Sequence, residues 1–150
     1  MIKPHGSDTL NPLFVANDAE RAALQAEAEG LPSLVVCSQA AANAVMMGSG
    51  YFNPLTGFMN LADSMAVAEK MQTTDGLFWP VPIVNVVENA DGIEPGMRIA
   101  LKDPNVDGNP VLAIQTVEAV ETATDDPMAF MTDQDYRTDD MEHPGVKAFN

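Results

Sequence analysis

The chain has 150 residues, 46% of them apolar, which suits one ordinary domain with a sizeable core. Asp and Glu number 22 against 7 Lys and Arg, and the resulting net charge of −15 repels phosphate backbones and anionic lipid, disfavouring nucleic-acid binding. No apolar run approaches the roughly 20 residues of a membrane helix, Met1 to Phe14 lacks a signal-peptide core, and a single Cys37 excludes an internal disulfide or a multi-cysteine metal site. These features predict an acidic, cytoplasmic domain that touches neither nucleic acid nor membrane. The ten methionines suit adaptable apolar packing.

Residues 1–16 mix turn formers (Pro4, Gly6, Asn11, Pro12) with a short apolar patch and read as an extended arm. Asn17-Asp18-Ala19-Glu20 has capping-box spacing and opens a helix that Gly30 and Pro32 stop. Leu34 to Cys37 is an apolar run of strand length. Ser38 is then expected to cap a second helix, Gln39 to Met47, ended by Gly48. Gly50 to Phe58 is a loop rich in aromatics. Asn60 and Asp63 open a third helix with Leu61, Met65, Ala68 and Met71 on one face.

After the Asp75-Gly76 turn the pattern becomes strand-like. Leu77 to Val87 is β-branched and aromatic, but Pro80 and Pro82 restrict it to an edge or bulged strand. Two more strands, Met97 to Leu101 and Val111 to Val120, flank a turn from Asp103 to Pro110 that signals a hairpin. Helices first and strands later indicate an α+β class. The segment 121–150 holds eight acidic residues against Arg137 and Lys147, with little apolar periodicity. It reads as a weakly structured linker, tail or approach to a further domain.

Few residues promise chemistry. His5 and His143 have no third ligand nearby to make a zinc site, so incidental or structural roles are expected. Cys37 follows apolar residues and lacks a cationic neighbour, which predicts an inert buried thiol. Gly48-Ser49-Gly50 lacks the lysine of a phosphate loop and reads as a helix stop. The carboxylates from Asp133 to Glu142 lack the central glycine of a calcium loop and read as a solvated surface. Arg98 and Lys102 could meet an anion on one strand face only if that strand is regular, and a surface pair is expected. The residues alone thus predict no self-contained active site: no catalytic, substrate-binding or metal-binding residue is assigned within 1–150.

Several ordered segments resemble a known family. They are Lys3-Pro4-His5-Gly6 leading into Leu10; Leu31-Pro32-Ser33-Leu34-Val35-Val36; Gly50-Tyr51-Phe52-Asn53-Pro54-Leu55-Thr56-Gly57-Phe58-Met59; Gly76-Leu77-Phe78-Trp79-Pro80-Val81-Pro82-Ile83; Gly96-Met97-Arg98-Ile99-Ala100-Leu101-Lys102-Asp103; and Glu142-His143-Pro144-Gly145-Val146. Together they resemble the N-terminal domain of ATP sulfurylase (sulfate adenylyltransferase), over essentially the whole chain. The resemblance implies a PUA-like fold, a partly closed, mostly antiparallel β-barrel decorated by helices, occupying 1–150, with 121–150 approaching the catalytic domain.

The family joins ATP and sulfate into adenosine 5′-phosphosulfate and pyrophosphate with Mg²⁺, or runs the reverse. The resemblance places its working residues in a following catalytic domain, in Q-x-R-N and H-x-G-H motifs. Gln72-Thr73-Thr74-Asp75 is not the former, and His143-Pro144-Gly145-Val146 begins like the latter but ends in Val. Cys37 stands where the family commonly has serine, and Ser64-Met65 replace a common aromatic; both are packing or surface changes. The family's subunit is well over twice as long, so the chain is expected to end about where catalysis begins. On this reading Mg²⁺ and ATP belong to the longer enzyme, and the partners are its catalytic domain and other copies of the same subunit. The alternative is a free-standing PUA-like binding or assembly module without catalytic activity. The loop Phe52 to Met59 is expected to be structural, with Phe52, Leu55 and Phe58 plugging the core; an interface role is the alternative. Trp79 reads as core or edge covering, not a base-stacking platform, since no basic groove accompanies it.

Overall fold

The computed structural model describes residues 2–149, arranged as two compact units. One combines Met1–Gly57 with Val87–Val120; the other combines Phe58–Val86 with Glu121–Asn150.

In the first unit, helix α1 (Asp18–Ala28) starts at Asn17, whose side chain accepts from the Glu20 N–H at 2.9 Å. Glu20 returns the contact one residue earlier than a standard capping box, accepting from the Ala16 N–H at 3.2 Å. Strand β1 (Ser33–Val35) is shorter than the run Leu34 to Cys37 suggested. Helix α2 (Ser38–Gly48) is capped by Cys37 rather than Ser38: the Cys37 sulfur accepts from the Ala40 N–H at 3.4 Å. Ser38 instead bonds Asn105 at 2.6 Å.

Strands β2 (Arg98–Lys102) and β3 (Val111–Thr116) form the expected antiparallel hairpin, and β1 joins β2 in parallel, giving the order β1-β2-β3. Ile99, Ala100 and Leu101 are all buried, as a central strand covered on both faces should be. Among the described residues the sheet is open, three-stranded and mixed; these strands do not make the partly closed, mostly antiparallel barrel that the resemblance implied. A register shift at Leu101/Lys102 breaks the strand alternation.

In the second unit, helix α3 (Leu61–Lys70) has the expected Asn60 cap, which accepts from the Asp63 N–H at 2.8 Å. Its buried stripe is centred on Ser64 and Val67 rather than Leu61 and Met65, and Met71 leaves the helix as an exposed left-handed C-cap. Ser64 tolerates burial because its hydroxyl donates to the Asn60 carbonyl at 2.7 Å. The segment Leu77 to Val87 forms no strand. Only an isolated bridge, Gln72 to Phe78, pairs there, since two prolines remove the donors a ladder needs. Trp79, Pro82 and Ile83 are nevertheless buried.

The largest departure lies in 121–150, expected to be weakly structured. It folds into α4 (Asp125–Tyr136) and α5 (Pro144–Phe149), and buries Met131, Thr132 and Val146. Pro127 sits in the first turn of α4, where no intrahelical donor is lost. No helix among the described residues is long and apolar enough to cross a membrane.

Candidate functional site

Of the six segments that carried the resemblance, Leu31 to Val36 and Gly96 to Asp103 supply β1 and β2, and the other four take part in three packing devices. In the loop Phe52 to Met59 the buried side chain is not one of the three expected to plug the core. Phe52, Leu55 and Phe58 are only half-buried, whereas Asn53 is 6% exposed. Its Oδ1 accepts from the Asn11 N–H at 3.0 Å, and its Nδ2 donates to the His5 carbonyl at 3.0 Å and to Ser7 Oγ at 2.7 Å. Reversing the amide would face donor with donor at Asn11 and acceptor with acceptor at His5, so its orientation is settled by its partners. The extended arm is thereby clamped to the loop at His5, Ser7 and Asn11. The peptide between Asn53 and Pro54 is cis.

The arm's next contact explains Gly48-Ser49-Gly50. The Leu13 and Phe14 N–H groups donate to the Gly48 carbonyl at 2.8 and 3.0 Å. A Cβ on Gly48 would lie 2.5 Å from the Phe14 ring, and one on Gly50, whose φ is +80°, would press on Leu10. These glycines make the end of α2 a seat for the arm. The site presents helix C-terminal carbonyls, so it repels rather than cradles phosphate.

In the second unit, Met59 and Ile83 hold two of the segments together. The Met59 N–H donates to the Ile83 carbonyl at 2.7 Å, and the Ile83 N–H reaches the Met59 sulfur at 3.5 Å. The Trp79 N–H donates to the Met71 carbonyl at 2.9 Å, which anchors the buried indole in the core.

The third device is the turn from α4 to α5. Pro144 opens α5, Val146 is 1% exposed, and the His143 ring stacks at a tilt on Tyr136 with centroids 5.0 Å apart. A Cβ on Gly145 would lie 2.4 to 2.9 Å from three atoms of the Tyr136 phenol. Glycine there is therefore a packing requirement, and His143 serves that packing.

The remaining candidates sit apart. His5 lies in the arm, where its carbonyl serves Asn53. Cys37 is half-buried rather than buried, and its sulfur caps α2. Arg98 forms an ion pair with Glu27 of α1. The described residues contain no group of three or more His, Cys, Asp or Glu placed to hold a metal. The acidic excess has local uses: Glu121 accepts from the Leu61 N–H at 2.7 Å at the start of α3, and Asp125 and Asp126 occupy the first turn of α4. Carboxylates at helix N-termini are favoured by the unpaired N–H groups there.

Two carboxyls depart from their usual range. Hydrogen bonds from Thr73 and the Leu77 N–H hold Asp75 below it. Burial pushes Asp135 on α4 up to about 6. The folded state then keeps a proton that the unfolded chain releases, so this contribution is fully present below the usual carboxyl range and is lost as pH rises through about 6. Asp135→Asn should therefore stabilise the protein at neutral pH by about 1 kcal/mol, allowing for solvent screening of a half-exposed group. The gain should shrink as pH falls toward about 4, which urea titrations of both proteins at the two pH values will check.

A sulfate adenylyltransferase of Allochromatium vinosum is 57% identical over 150 residues, which is 100% of this chain and 38% of that protein. One from Alcanivorax borkumensis is 54% identical over 149 residues, 99% of this chain and 37% of its own length. The chain thus spans under two-fifths of the relatives it matches, in their N-terminal part. A solved structure titled hexameric APS kinase from Thiobacillus denitrificans superposes with a TM-score of 0.66 at 36% identity, over 82% of this chain and 24% of that one. The model of the PUA-like domain matches residues 2–150, and the chain belongs to that family.

Proposed function

We propose that this chain is the non-catalytic N-terminal domain of a sulfate adenylyltransferase. The observation that carries the proposal is the match over all 150 residues, at 57% identity, to a protein of that name. The whole enzyme joins ATP and sulfate into adenosine 5′-phosphosulfate and pyrophosphate, or runs the reverse, with Mg²⁺ and ATP engaged outside residues 1–150.

Such a reaction needs cations converging on phosphate and sulfate oxygens. Here the Lys and Arg number 7, and Arg98 is already paired with Glu27. The loops and helix ends described above support a bracing role, in which 121–150 leads toward the catalytic domain. Association with further copies of the subunit, in the cytoplasm, completes this reading. Titration calorimetry of the chain with ATP and Mg²⁺, and separately with sulfate, should give no heat of binding. Millimolar or tighter binding of either would overturn the assignment of catalysis to the remainder of the enzyme.

A further inference from the structure

Three Asp-Gly dipeptides lie at turns: Asp75-Gly76, Asp91-Gly92 and Asp107-Gly108. In each the glycine has a positive φ, of 88°, 75° and 81° respectively. Without a Cβ on the following residue, its amide nitrogen has unhindered access to the aspartyl carboxyl carbon. The three differ in what holds the reacting groups.

At Asp75 both are engaged. The carboxylate accepts from Thr73 Oγ1 and, at 3.4 Å, from the Leu77 N–H, while the Gly76 N–H donates to the Thr73 carbonyl at 2.9 Å. At Asp91 the carboxylate accepts from Asn89 Nδ2 at 3.0 Å, and the Asp91 N–H donates to Asn89 Oδ1 at 2.6 Å. At the third turn, Asp107 and Gly108 are exposed, and neither the carboxylate nor the Gly108 N–H has a hydrogen-bond partner among the described residues.

We propose that Asp107-Gly108, at the tip of the β2–β3 hairpin, is this protein's site of spontaneous isoaspartate formation, and so the place where a carboxyl-methylating repair enzyme would act. The Gly108 nitrogen attacks Cγ of Asp107, forming the N–Cγ bond. The protonated carboxyl is the reacting form: its Cγ–OH bond breaks, the hydroxyl leaves with the amide proton as water, and a succinimide results. Water then opens the ring at either carbonyl. Opening at the backbone carbonyl carbon routes the main chain through Cγ and frees the α-carboxylate, with no net change in mass or oxidation state.

Around this tip the loop is closed by the Asp103 N–H on the Pro110 carbonyl at 3.0 Å and Asn109 Nδ2 on the Asp103 carbonyl at 2.9 Å. These two bonds lie outside the reacting pair, so the hairpin can retain them while the tip lengthens by one backbone atom. The Asn109 N–H on the Val106 carbonyl at 3.0 Å does span the pair, but the Ile93 N–H on the Ala90 carbonyl spans Asp91-Gly92 in the same way at 3.0 Å, so the engaged carboxylate is what separates the two turns.

The test ages the full chain at mildly acidic pH and physiological temperature, then counts isoaspartate at each dipeptide. Counting uses peptide mapping with electron-transfer fragmentation and methyl transfer from labelled S-adenosylmethionine by an isoaspartyl methyltransferase. Isoaspartate should accumulate at residue 107 about fivefold faster than at 75 or 91, the factor set by the net worth of one restraining hydrogen bond. In the urea-unfolded chain the three rates should converge. Asp107→Glu should remove the folded-state signal, because closure to a six-membered ring is slower. Equal folded-state rates, a faster rate at 75 or 91, or the same ranking in urea would each overturn the proposal.

Discussion

Replacing Asn53 by alanine should release the N-terminal arm and cost about 2–4 kcal/mol, the net worth of its three hydrogen bonds. The side chain is buried, so its loss leaves the Asn11 N–H without this acceptor in a partly closed site. Asn53→Asp is the sharper variant. It keeps the acceptor for Asn11 but faces a carboxylate oxygen toward the His5 carbonyl, and it buries a charge. Both variants should lose amide protection at Asn11, Leu13 and Phe14, read by hydrogen exchange. The change should stay local to the arm and the end of α2, because the sheet core of Ile99, Ala100 and Leu101 does not depend on Asn53. Unchanged protection of the arm in Asn53→Ala would show that Gly48 and Gly50 alone hold it.

Gly145→Ala should be the second large effect, and its sign depends on two opposed contributions. Alanine is favoured over glycine in a helix by about 1 kcal/mol. Against this, the added methyl would sit within 2.9 Å of three Tyr136 phenol atoms. Overpacking of this kind costs about 1–3 kcal/mol. The ring also carries the His143 stack, so it cannot turn aside freely. The net result should be a loss of stability and faster exchange at the Lys147 amide, which bonds the His143 carbonyl at 3.0 Å. In a Tyr136→Ala background the clash is gone, and Gly145→Ala should become neutral or stabilising. A double-mutant cycle measures that reversal; additivity of the two substitutions would refute the packing explanation.

The helix starts were legible from the sequence because capping is a local affair. A side-chain oxygen at Asn17 or Asn60 finds an N–H three residues on, at Glu20 and Asp63, without help from the rest of the fold. The hairpin of β2 and β3 was legible for the same reason, with the turn residues from Asp103 to Pro110 standing between two largely apolar runs. At Cys37 the local rule chose the wrong neighbour. Serine is the better acceptor by type, but the chain leaves β1 so that the Cys37 sulfur meets the Ala40 N–H. The Ser38 hydroxyl faces Asn105 instead.

What composition concealed lay mainly in 121–150. Charge density suggested a solvated tail, yet Met131 is 2% exposed and Val146 1%. A few apolar residues suffice when α4 packs on both α3 and α5, and no periodicity count can register partners from elsewhere in the chain. The clamp at Asn53 was equally hidden. Its partners His5, Ser7 and Asn11 are more than 40 positions away, and nothing in the loop's aromatic composition marks the amide as its buried group. The signal available was an asparagine inside a largely apolar loop, where burial demands partners for every polar atom.

By itself, then, the sequence determined the acidic charge, the helix caps, the β2–β3 hairpin and the ordered segments whose likeness to sulfate adenylyltransferases is met again in the relatives. Each depends on neighbours within a few residues or on the order of residues alone. Only the tertiary structure decided that β1 joins the sheet in parallel, that Leu77 to Val87 pairs through a single bridge, and that the closing segment is helical. Those outcomes depend on which distant groups become available to satisfy backbone donors and cover apolar faces, and that supply exists only once the chain has folded.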